Sequence, residues 1–121
     1  MRHNTFLMCA ALSVALSNLS IAQESEANQC GDAPLAPEVV DGSSATMTDL
    51  VANSKAVQTF IANADEHLDC KKALVNDTTN GLSSDERDIH EKNFMDLVTV
   101  RNEIGDLFNA EVEAFKVANP E

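Results

Sequence analysis

Val75-Asn76-Asp77-Thr78-Thr79-Asn80-Gly81-Leu82-Ser83-Ser84-Asp85-Glu86 is the stretch that decides the fold. Its first half, 76–81, contains only turn residues and no apolar side chain before Leu82. It therefore interrupts whatever precedes it. Its second half has the form of a capping box. Ser83 offers an oxygen to orphan amides, Glu86 returns a carboxylate three residues on, and Asp85 and Asp88 add negative charge near a helix start. One helix must stop near Val75 and another must begin near Ser84.

Downstream of this restart an apolar stripe runs through Phe94, Leu97, Val98, Ile104, Phe108, Val112 and Phe115, flanked by Ile89, Val100 and Leu107. Only Asn119-Pro120 ends it, which predicts a second helix of about 35 residues. Upstream, Thr46-Met47-Thr48-Asp49 is another capping box and predicts a first helix from about Met47. Its stripe is Met47, Leu50, Ser54, Val57, Ile61, Ala64, Leu68 and Val75, with Lys71 and Lys72 suited to the negative end. Two long helices joined by so short a connection lie side by side, so the expected class is all-α: an antiparallel, coiled-coil-like hairpin. Pairing the end at Val75 with the start at Ser84 sets Ser54 opposite Gly105, and two small residues there would permit close helix approach.

Further upstream, Cys30-Gly31-Asp32-Ala33-Pro34-Leu35-Ala36-Pro37-Glu38-Val39-Val40-Asp41-Gly42 is punctuated by two prolines and a turn dipeptide, and reads as an extended arm. The reach from Cys30 to Thr46 exceeds the roughly 35 Å of helix between Met47 and Cys70. The arm can thus run back along the hairpin and lay Leu35, Val39 and Val40 over an edge that two helices alone leave wet. Residues 23–29 are polar and acidic, without periodicity, and are expected to be a disordered leader.

The first 22 residues read as an address. Arg2 and His3 precede an uncharged, mostly apolar run from Thr5 that ends in Ser20-Ile21-Ala22, the pattern of a secretory signal peptide cut after Ala22. Ser13, Ser17, Asn18 and Ser20 break the run and no basic flank follows, so no stable membrane span is expected after cleavage. Met8 before Cys9 does not fit a lipoprotein signal. Cleavage discards Cys9 and turns three cysteines into a pair, Cys30 and Cys70, which in an exported chain reads as a disulfide. The loop it closes, about 40 residues, is worth about 4 kcal/mol of chain entropy. The hairpin domain is then 30–118, located in the periplasm or secreted.

Charge narrows the function classes. The 121 residues carry 20 acidic and 8 basic side chains, a net charge of −12, so nucleic acid and anionic membranes are repelled. With no Trp, no Tyr and five Phe there is little to stack on bases or sugars. No Gly-rich phosphate loop, nucleophile elbow or calcium loop occurs, and acidic pairs such as Asp65 with Asp69 or Glu111 with Glu113 are too common in this chain to single out as acid and base. The expectation is a non-enzymatic interaction or structural module without a cofactor, whose acidic surface suits a basic protein partner. So thin a core also favours a homodimer. Two alternatives follow from the same residues: an acidic inhibitor or chaperone-like cap for a basic envelope protein, and a divalent-cation binder. The candidate metal ligands are His67 and His90, at similar levels of the hairpin, with Asp65, Glu66, Asp69, Glu86 and Glu91 nearby for zinc or copper. Arg101 falls on the apolar stripe and calls for snorkelling or an ion pair. Asn76-Asp77-Thr78 fits a glycosylation acceptor, relevant only in a eukaryotic secretory pathway.

Cys30, the arm from Pro34 to Gly42, Met47, Phe60, Leu68-Asp69-Cys70, Phe108-Asn109 and Ala114-Phe115-Lys116 together resemble a type of small exported protein of Gram-negative bacteria. The likeness spans most of the chain after Ala22, with Leu68 in place of an aromatic common beside the second cysteine. The resemblance implies an envelope location and a two-helix plan, and carries no activity with it.

Overall fold

In the computed structural model, residues 29–121 are described; the expected signal peptide and, save Gln29, the expected leader lie outside them. Two helices, α1 (Met47–Asn76) and α2 (Ser84–Ala118), pack on each other as a hairpin, and there is no strand among the described residues. Both starts are set by the chemistry read from the sequence. Thr46 Oγ1 accepts from the Asp49 amide at 3.2 Å while the Asp49 carboxylate accepts from the Thr46 amide at 3.0 Å. Ser83 and Glu86 make the same reciprocal pair at 3.2 and 2.8 Å.

The end of α1 is capped from outside. Arg87 of α2 donates to the Val75 carbonyl at 2.6 Å and the Asp77 carbonyl at 2.8 Å, and Asn80 donates to the Leu74 carbonyl at 2.7 Å. These donors satisfy carbonyls that the helix leaves unpaired and place a cation at its negative end. Lys71 and Lys72 do not play that part: α1 has no basic residue in its last turn, and Lys71 is turned inward and 7% exposed. Gly81, at φ 76°, supplies the left-handed step that turns the chain toward α2.

The core is built on Phe60, Ala64, Leu68 and Leu97, with Ile61, Phe94, Val98 and Ile104 packed around them. On α1 the buried positions are Leu50, Asn53, Val57, Phe60, Ala64, His67, Lys71 and Leu74, alternately three and four apart, with Leu68 beside them. This face is rotated from the stripe expected from apolar residues alone. Met47 is exposed, and Ser54, Ile61 and Val75 are half-buried. The reason is the arm, which covers the edge carrying Asn53, Phe60 and His67 and thereby shifts the centre of burial.

The arm is held at three places. Cys30 and Cys70 form the disulfide, with their Cα atoms 5.7 Å apart. Midway, Asn53 donates to the Glu38 carbonyl at 2.7 Å and accepts from the Val40 amide at 3.2 Å. At the far end Gly42 is buried against α2, its amide donating to Glu111 Oε2 at 2.7 Å. A Cβ on Gly42 would overlap the Glu111 carbonyl. Here, then, is the close approach that needs glycine.

Two expectations are corrected. Leu35 does not cover the edge: it is 93% exposed. Val39 and Val40 are half-buried, as are Pro34 and Pro37; Pro34, Pro37 and Val40 recur every third residue, the period of a polyproline helix, and Leu35 falls off that line. Nor does Gly105 sit at a tight crossing, since a Cβ there would meet only Ile61 Cδ1 at 3.9 Å. The residue that faces Gly105 is Ile61, seven positions along α1 from Ser54. Ser54 instead accepts a hydrogen bond from Gln58 in its own helix.

Candidate functional site

His67 and Lys71 from α1 and His90 from α2 occupy buried positions of the hairpin, and none is more than 9% exposed. The fold brings together the two histidines singled out in the sequence, but with a lysine among them. Lys71 Nζ lies 3.1 Å from His90 Nδ1. An ammonium can only donate, so His90 accepts at Nδ1 and carries its proton on Nε2. All three side chains line an open cleft of about 620 Å³ between α1, α2 and the start of the arm. Its arm side is Gly31, Asp32, Ala33 and Pro34; its α2 side includes Ile89, Leu97 and Val100, with Glu86 and Asp96 at the polar margin.

The electrostatics follow from burial. His67 is pushed below its ordinary value first by desolvation and then by the Lys71 charge, with partial opposition from a hydrogen bond to the Cys30 backbone and from Asp32. His90 is lowered by desolvation and by Lys71, against Glu86. Lys71 itself is lowered by desolvation. Two of the marginal carboxylates are already engaged: Glu86 accepts from the Ser83 amide, and Asp96 pairs with Lys92 at 2.6 Å.

Two imidazoles and an ammonium are a poor donor set for a divalent cation, because the ammonium repels it and occupies His90 Nδ1. Among the described residues no group of three or more His, Cys, Asp or Glu side chains is arranged to hold a metal ion. Lys71 and Asn53 are the residues that sequence reasoning passed over as site and arm contacts. Both lie on the alternation of three and four that defines the buried face, and that spacing was the available signal. Arg101 forms the ion pair its position called for, bidentate to Asp65 at 2.6 and 3.0 Å, which holds that carboxyl below its ordinary range.

From the cleft's α2 wall outward, α2 exposes Ile89 (59%), Val100 (38%) and, beyond the lining, Leu107 (47%). At 100° per residue these three fall within about 20° of one another, roughly a quarter-turn from the face that meets α1. Among the described residues no helix is long and apolar enough to cross a membrane. Comparison with protein-family models, with curated proteins and with solved structures gives no match.

Proposed function

We propose that the mature chain is an exported, non-catalytic helical interaction module that docks a basic protein partner in the periplasm or outside the cell. The observation that carries this reading is the exposed line Ile89, Val100 and Leu107 on α2, set among Asp96, Glu103 and Asp106 on a chain of net charge −12. An apolar line bordered by acids suits an apolar surface bordered by bases, where the apolar contact supplies affinity and the charges supply orientation and rate. The disulfide is compatible with an oxidising, non-cytoplasmic compartment.

The hairpin itself reads as antiparallel and coiled-coil-like. In support, the cross-helix pairs Val75 with Arg87, Lys71 with His90, Asp65 with Arg101 and Ile61 with Gly105 descend α1 while they ascend α2. The buried or half-buried positions Arg87, His90, Phe94, Leu97, Arg101, Ile104 and Phe108 repeat the α1 spacing of three and four.

The test is capture from native envelope extract by the oxidised mature chain, beside a Val100→Glu, Leu107→Glu variant. The expected result is a basic protein, retained by the unmodified chain, lost with the variant and released as salt shortens the screening length from about 10 Å toward 5 Å. Retention that ignores both salt and the variant contradicts the proposal. A homodimer that buries this line, seen by sedimentation equilibrium, replaces it.

A further inference from the structure

Lys71 presents an imbalance that the hairpin does not resolve. The chain has 20 acidic side chains, yet the ion pairs among the described residues are Lys92 with Asp96, Arg101 with Asp65, and Lys116 with Glu113. Lys71, more deeply buried than any of those cations, has instead a neutral imidazole at 3.1 Å. One of its three N–H bonds is used there; the other two are free to donate into the cleft that Lys71 lines. A desolvated ammonium without a counter-ion is costly, and a carboxylate delivered to it regains a charge-assisted hydrogen bond in a weakly screened place.

The rest of the cleft restricts what can bring that carboxylate. Ile89, Leu97 and Val100 offer an apolar wall, while Asp32, Glu86 and Asp96 lie on the same lining. A volume of about 620 Å³ admits a residue or two, not a folded surface. A polyanion or an acidic peptide meets Asp32 and Glu86, neither of them in an ion pair among the described residues, and is turned away. A chain end with a terminal carboxylate, an apolar last side chain and basic residues just before it suits all three features.

We infer that the cleft between α1, α2 and the arm receives the free C-terminus of a basic protein chain, its carboxylate on Lys71 and its last, apolar side chain against Ile89, Leu97 and Val100. This rests on the reading of the chain as a module for a basic partner and names the part of that partner it grips. His90 is a positioning residue: by accepting at Nδ1 it holds the Lys71 ammonium in place.

The test is fluorescence anisotropy with the oxidised mature chain and an N-terminally labelled peptide, Arg-Lys-Arg-Ala-Val-Leu, made both as the free acid and as the C-terminal amide. The free acid is expected to bind about tenfold or more tightly than the amide, the scale of one charge-assisted pair. Lys71→Met, which replaces the ammonium by an apolar side chain of similar length, is expected to abolish that difference; if this variant does not fold, the acid and amide compared on the unmodified chain decide. Equal binding of acid and amide overturns the inference and leaves the basic-partner reading standing. N-acetyl-leucine competing as well as the peptide overturns it in favour of a free small carboxylate. Absence of binding by either peptide also overturns it, and the capture experiment then judges the broader reading by itself.

Discussion

Gly42 and Gly105 show how differently two glycines of one chain are used. Alanine at 42 would drive its Cβ into the Glu111 carbonyl, so the arm must lift from α2. The expected loss is about 2 kcal/mol, within the range of overpacked sites. Alanine at 105 enters ordinary contact with Ile61 and removes a flexible residue from a helix interior, so it is expected to gain about 0.5–1 kcal/mol. Urea titration of the two variants checks both signs. The sequence pointed to the wrong glycine, because a helical Gly stands out by propensity whereas the partner of a loop Gly depends on where a distant backbone passes. Asn53 teaches the same lesson. No apolar periodicity marks this polar residue, yet it holds the arm's amide and carbonyl. Asn53→Leu leaves both without partners and is expected to cost about 1–3 kcal/mol in the same titration.

At the scale of the helix, the starts were legible and the buried face was only half so. A capping box is local chemistry, complete within four residues, and Thr46 and Ser83 stand where it put them. Substituting Ser83 by Ala is expected to cost about 1 kcal/mol, measured as a lower midpoint in thermal unfolding, while Glu86 keeps the residue-83 amide, the larger of the hydrogen bonds that hold its carboxyl below the ordinary range. The face of α1, in contrast, is set by two neighbours. Apolar periodicity found the side that meets α2; the side that meets the arm is lined by Asn53, His67 and Lys71, whose polarity hid them. The cleft was legible to the same extent. His67 and His90 were brought to one level by counting, while the lysine that changes their chemistry was placed at the helix end on the strength of its charge.

Over the whole molecule, pH acts through those buried bases. His67 and His90 have folded values depressed below the ordinary 6.5, chiefly by burial, with Lys71 adding its charge from α1, and Asp32 from the arm and Glu86 from α2 opposing. The folded state therefore binds fewer protons than the unfolded chain, and stability is full above about pH 7 and falls as pH drops through 6.5. Urea midpoints between pH 8 and 5 are expected to decline in this window, and the decline is expected to vanish in a His67→Gln, His90→Gln variant. A second fall belongs below pH 4.5, where Asp49, Asp65, Asp77 and Glu86, all held below their ordinary values by hydrogen bonds, become protonated.

These parts meet in one assembly: two slender helices bury an adequate core only because the arm closes their open edge, and the arm stays because Cys30 is bonded to Cys70. That bond closes a loop 40 residues along the sequence, for which chain entropy assigns about 4 kcal/mol, a large part of the stability of so small a domain. The most direct measurement is the thermal unfolding of residues 23–121 with and without a reductant, the thiol count confirming that the bridge has opened. Reduction is expected to lower the midpoint by about 15 °C or more. An unchanged midpoint would mean that the arm is not part of what holds the helices together.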